Sequence, residues 1–284
     1  MDAATAPARW LRAREKDENF PVALRWLPRE PRRHLHAVYA TTRLIDQIGD
    51  AAPGDRVSQL EALRADLAGL WQGRTPADPI LQMLAPTVAA CELPQDAFEE
   101  LIEANLIDQR VGRYATFDDL LGYCRLSANP VGRLVLAVFD QSTPETIALS
   151  DQVCSALQVL EHCQDVAEDF AADRIYLPQL DLTEAGVAEA SLATGGPGDP
   201  ACRAVVLTQV DRCETLLDAG APLVARLTGW ARIAVSGYIA GGCATVRALR
   251  IAEGDVWTEP VRPRHVDTVA SMVTLLGKAT VVPQ

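Results

Sequence analysis

Apolar residues recur at spacings of three and four along almost the whole chain, and this pattern restricts it to packed helices. Sustained period-two alternation is missing, and no Asn-Gly or Asp-Gly hairpin dipeptide occurs. The spacing predicts an all-α fold with helices over roughly 31–50, 56–72, 78–91, 95–113, 117–138, 144–171, 200–226 and 229–252. AAPGD, GRTPADP, ELPQD and TGGPGDP punctuate them as loops between packed helices. No Ser/Gly linker, compositional step or repeat divides the chain, so residues 1–284 read as one domain. After about residue 260 the pattern leaves two readings open, a docked tail or a disordered one.

A chain of 284 residues that is 49% hydrophobic can bury a large core. Its formal charge of −12 argues against nucleic acid, whose binding depends on neutralising phosphates. It does not argue against an anionic substrate, because a few arginines and a divalent cation on carboxylates can reverse the sign locally. The seven cysteines form no Cys-x-x-Cys pair and several fall within apolar helical patterns, so they are expected reduced and mostly buried. The N-terminal segment has no uninterrupted apolar region of the signal type, and no stretch of about 18 apolar residues lacks a charge. A cytoplasmic or membrane-peripheral location is expected, although no strong basic amphipathic anchor is evident.

Two helices concentrate polar chemistry. In RRHLHAVYATTRLIDQIGD, His36, Tyr39, Arg43, Asp46 and Asp50 follow one another at steps of three or four and share a face. Leu35, Val38, Leu44, Ile45 and Ile48 fill the other directions, as on a buried helix lining a cavity. In SDQVCSALQVLEHCQDVAEDF, Gln158, Glu161, Asp165 and Asp169 are expected on one face. Aspartates one turn apart repel by a few tenths of a kcal/mol even when exposed, so a cation is expected between them. Mg²⁺ suits two short carboxylate pairs bridged by a diphosphate, because it takes oxygen donors and keeps phosphate oxygens and waters. A lone Asp-x-x-x-Asp is more often a solvated face. It is the second copy, in another apolar helix, that favours a site.

Four ordered segments carry a resemblance: DENFPVALRWLP, HAVYATTRLIDQIGD, YCRLSANPVGRLVL and LEHCQDVAEDFAADRIYLP. Over residues 15–252 the chain resembles the squalene/phytoene synthase family, and within it the hydroxysqualene synthase branch of bacterial hopanoid pathways. The resemblance implies a single-domain isoprenoid-synthase-type helical bundle around a central cavity. It implies that Asp46/Asp50 and Asp165/Asp169 bind Mg²⁺ and through it the diphosphate, and that Arg43 grips the diphosphate. Gln158, Tyr123, Arg174 and Tyr176 match further family positions. Against this stand plainer readings: core packing for Tyr123 and Tyr176, a helix C-terminal cation for Arg174, and a core or supporting place for His36. The proline of SANPVG either merely interrupts a helix or aims Ser127 and Asn129 into the cavity.

The chain departs from the family pattern at Gln47 and Ala51, where acidic residues are usual, and at Glu161, where an asparagine is common. The last change bears on metal stoichiometry. The expected reaction is ionisation of presqualene diphosphate and capture of the cation by water, giving hydroxysqualene, with Phe20, Tyr39, Tyr123 and Tyr176 as the cation-facing rings. The CRLSAN segment or Glu161 would position the water. That reading implies a companion presqualene diphosphate synthase. The alternatives are the condensing reaction from farnesyl diphosphate or another prenyl diphosphate, and a non-catalytic helical partner subunit.

Overall fold

The computed structural model describes residues 27–194 and 199–279. The all-α expectation holds: among the described residues the sole strand-like pairing is one parallel bridge between Arg113 and Ile175. The described chain groups into two compact units, one of residues up to Arg110 with Pro130–Pro144, the other of Val111–Asn129 with Glu145 onward.

The first unit contains α1 (Arg29–Ala51), α2 (Arg56–Ala68) with a 3₁₀ turn over Gly69–Gln72, α3 (Pro79–Cys91) and α4 (Gln95–Ile107). Its starts follow local chemistry. Asp55 caps α2 by accepting from Ser58 N, and Asp78 caps α3 by accepting from Ile80 N, with Pro79 at a first-turn position where its missing N–H costs nothing. Helix α1 stops at Ala52, which turns extended before Pro53, as a residue preceding proline must. Its apolar side packs on α2, α3 and α4 around Ile45, Leu60, Leu81, Phe98 and Ile102, all fully buried. Each such side chain contributes about 1.5–3 kcal/mol by leaving water.

The predicted helix 117–138 is two helices, α5 (Phe117–Ser127) and α6 (Asn129–Val138), separated at Ala128. Pro130 therefore sits at the second position of α6, where proline is tolerated, and does not kink a continuous helix. A Thr116–Asp119 capping box starts α5.

The second unit is built on α7 (Pro144–Gln164), α8 (Val166–Ala171), two short helices α9 (Gln179–Glu184) and α10 (Ser191–Thr194), α11 (Pro200–Gly220), α12 (Leu223–Arg226), α13 (Gly229–Ile251) and α14 (His265–Ala279). Glycines let its long helices approach closely. A Cβ at Gly242 would stand 2.7 Å from Leu157 Cδ2, and one at Gly220 would stand 2.5 Å from Val153 Cγ2. Among the described residues the C-terminal segment forms α14, docked on α13. All seven cysteines are free thiols, four of them buried.

Candidate active site

At the end of α1, Asp46 is half-buried and its Oδ2 lies 3.6 Å from Arg43 Nη1, one turn earlier. Asn105 on α4 donates through Nδ2 to Asp46 Oδ1 at 3.4 Å and to Leu101 O at 3.1 Å. The carbonyl of Gly49 is held from two sides, by Arg56 Nη1 at 3.3 Å and Gln109 Nε2 at 3.0 Å, which satisfies a helix-end acceptor. Along the predicted stripe burial falls steadily, from buried Tyr39 through half-buried Arg43 and Asp46 to exposed Asp50. His36 is half-buried. Phe20 and the ENFPVA motif lie outside the described residues.

The second carboxylate group differs from expectation. The predicted continuous helix 144–171 is divided at Asp165, whose φ and ψ are −103° and 16°. The backbone bonds Asp165 N to Glu161 O, 3.0 Å, and Asp169 N to Asp165 O, 2.8 Å, still carry the chain across. Along the predicted face Gln158 and Asp169 are half-buried while Glu161 and Asp165 are exposed, and buried His162 lies beside Gln158. Gln158 Nε2 lies 3.2 Å from His162 Nε2, while His162 Nδ1 lies 3.5 Å from Asp169 Oδ2.

Asp165 is an exposed residue, yet its carboxyl is pushed up to about 6. Desolvation by neighbouring atoms is the main cause, Asp169 and Glu168 add repulsion, and His162 opposes the shift.

His162 opens onto an aromatic cluster. Its ring stacks on Tyr176 at 3.6 Å and 13°; Tyr123 lies 5.5 Å from Tyr176, and Tyr114 lies 5.3 Å from Tyr123. The loop after α8 places Tyr176 and half-buried Arg174. Asp173 takes a left-handed φ of 60°, and Arg113 clamps it through Nη1 to Asp173 O at 2.6 Å and Nη2 to Asp173 Oδ1 at 2.9 Å. Ile175 N donates to Gly112 O at 2.8 Å. Only glycine fits at 112, since a Cβ would stand 2.7 Å from Asp173 O.

The SANPVG segment splits its two candidates. Asn129 is buried and its Oδ1 accepts from Ser155 Oγ at 3.0 Å, a tie to α7. Ser127, one turn beyond Tyr123 on α5, has a buried Oγ with no hydrogen-bond partner.

The carboxylate oxygens present are of the kind that suits a hard divalent cation. Asp169 Oδ2 is buried without a hydrogen bond, an arrangement that leaves an acceptor lone pair for a ligand. Among the described residues no three His, Cys, Asp or Glu side chains form a ready-made cage. Mg²⁺ does not need one, because it uses one or two carboxylates completed by water and phosphate oxygens.

Three residues in this geometry escaped the sequence reading. His162 carried a signal, the four-residue step from Gln158. Tyr114 and Asn105 carried none, because their roles depend on contacts made far along the chain.

The family model described as Squalene/phytoene synthase matches residues 13–268. A phytoene synthase of Mycobacterium tuberculosis is 34% identical over 213 residues, covering 74% of this chain and 70% of that protein. A hydroxysqualene synthase of Rhodopseudomonas palustris is 34% identical over 219 residues, covering 75% and 72%. Among solved structures, the squalene synthase HpnC from Alicyclobacillus acidocaldarius superposes with a TM-score of 0.80 at 36% identity, covering 88% of this chain and 94% of that one.

Proposed function

The chain belongs to the squalene/phytoene synthase family, and on that premise we propose that it ionises presqualene diphosphate with Mg²⁺ and passes the cation to water, giving hydroxysqualene and diphosphate. It is a prenyltransferase-type enzyme, and its family acts on prenyl diphosphates. The observation that carries the mechanism is the buried Asp169 Oδ2, which has no hydrogen-bond partner and lies 3.5 Å from His162 in the ring cluster with Tyr123 and Tyr176.

In this reading the aspartates Asp46, Asp50, Asp165 and Asp169 hold the metal, and residues 1–284 act as one catalytic domain. Bound Mg²⁺ supplies Lewis-acid charge to the diphosphate oxygens. Arg43 and Arg174 donate to the same group, and charge develops there as the C–O bond breaks and both electrons leave with diphosphate. The cyclopropylcarbinyl cation rearranges against the faces of Tyr39, Tyr123 and Tyr176. A water held at Ser127 Oγ then forms the new C–O bond and gives its proton to the departing diphosphate. Gln158 supports the second pair, Asn129 fixes the segment behind Ser127, and Glu161 recruits a further cation at the exposed side of α7.

A second reading, condensation of two prenyl diphosphates, is favoured by the likeness to phytoene synthase at the same level of identity. Separate incubation with Mg²⁺ and farnesyl diphosphate or presqualene diphosphate distinguishes them. Hydroxysqualene from the latter supports the proposal; turnover of farnesyl diphosphate alone supports condensation. If neither substrate releases pyrophosphate from folded protein, the chain is a non-catalytic helical partner.

Among the described residues no helix is long and apolar enough to cross a membrane. We place the enzyme in the cytoplasm, in peripheral contact with a membrane and supplied by a companion presqualene diphosphate synthase. Three exposed valines of α14, Val266, Val269 and Val273, support that contact, since they line one side of a helix whose other side is already packed on α13.

A further inference from the structure

We infer that His162 is a positioning residue for the second carboxylate pair, fixed in one tautomer by Gln158 so that Nδ1–H addresses Asp169 and the ring face addresses Tyr176. The inference rests on the metal-binding reading above and assigns to that site a residue outside its four aspartates.

The chemistry of the partners sets the tautomer. Gln158 faces His162 Nε2 with its amide nitrogen, 3.2 Å away, and an amide NH₂ can only donate. Nε2 is therefore the acceptor in this contact, which leaves the ring proton on Nδ1. Nδ1 points at Asp169 Oδ2 across 3.5 Å, a distance that orients the carboxylate without consuming its lone pair in a full hydrogen bond. Oδ2 has no hydrogen-bond partner, so this ring edge is what steers it. The stack on Tyr176, at 3.6 Å and 13°, fixes the plane of the imidazole and couples it to the loop that Arg113 clamps. Gln158, His162 and Tyr176 thus form a chain that ends on Asp169. Groups behind metal-binding side chains act in this way, and their loss costs about 10–100-fold in metal affinity.

The plainer alternative is that His162 only fills space beneath Tyr176. His162→Phe preserves volume and stacking but removes both nitrogens, whereas His162→Asn places an amide N–H near the position of Nδ1–H. Full-length protein stripped with chelator is titrated with Mg²⁺ at fixed inorganic pyrophosphate, following Tm and calorimetric heat. We expect Mg²⁺ affinity to fall about 10–100-fold in His162→Phe, with most of the loss recovered in His162→Asn and helical circular dichroism retained in both. Equal affinity of His162→Phe and wild type would overturn the inference alone, as would an Asn variant no better than Phe. Failure of wild type itself to bind would overturn the metal reading and this inference with it. Nitrogen-15 shifts of His162 in wild type need no variant: a proton on Nδ1 supports the assignment, and a proton on Nε2 contradicts it.

Discussion

Gly49 lies against the side chain of Asn105 so closely that a Cβ on residue 49 would stand 2.0 Å from Asn105 Oδ1. The same amide reaches Asp46, so the packing of α1 on α4 and the direction of the first carboxylate depend on one contact. Gly49→Ala must displace Asn105, and overpacking of this kind costs roughly 1–3 kcal/mol. Thermal unfolding is expected to show a lower Tm for Gly49→Ala, with much of the loss absent when Asn105→Ala is added, because residues in contact are not additive.

Loss of either carboxylate pair is expected to be disproportionate to its effect on stability. Asp46→Ala and Asp165→Ala should each lower turnover by on the order of 10²–10³-fold, the scale seen when a group stabilising transition-state charge is removed. Circular dichroism should remain close to wild type. Substantial residual turnover in both variants would place the metal elsewhere.

The raised pKa of Asp165 predicts a pH dependence of definite sign. In the unfolded chain its carboxyl titrates near 4, and in the folded protein at about 6. Folding therefore takes up a proton between those values, and the contribution of this group to stability is lost as pH rises through that window. Metal-free Asp165→Asn should melt above wild type at pH 7.5, and the gap should close by pH 4. Mg²⁺ requires the ionised carboxylate, so the rise in wild-type Tm on adding Mg²⁺ and pyrophosphate should be larger at pH 7.5 than at pH 5.5. A Tm difference independent of pH would contradict the assignment.

The valine face of α14 predicts weak, composition-dependent association with lipid. Val269→Glu/Val273→Glu should reduce co-sedimentation with phosphatidylcholine–phosphatidylglycerol vesicles while leaving turnover of detergent-dispersed substrate unchanged. Unaltered vesicle binding would remove α14 from the contact.

The long helices were legible because burial imposes its period on the chain: the observed Arg29–Ala51 and Gly229–Ile251 nearly coincide with the ranges expected from apolar spacing. The breaks were less so. At Asp165 no proline or glycine marks the interruption, which is a local change of φ and ψ. Helices α9 and α10 have six and four residues, too few to show a period. Helix α14 was ambiguous because apolar residues lie on both of its sides, leaving no amphipathic contrast to read. In the candidate site, the aspartates were proposed from their spacing and Arg43 from the family resemblance. That His162 is buried and Glu161 exposed depended on where α7 packs, and spacing of three or four from Gln158 fits both. Asn105 touches Asp46 across 59 residues of chain, a relation that only the folded structure supplies.

Anomalous diffraction from crystals grown with Mn²⁺ in place of Mg²⁺ and with inorganic pyrophosphate locates the metal directly. Peaks at about 2.0–2.2 Å from carboxylate oxygens of Asp46 or Asp50, and of Asp165 or Asp169, with pyrophosphate oxygens completing their coordination, are the predicted result. Peaks on other residues, or pyrophosphate bound away from all four aspartates, would contradict it.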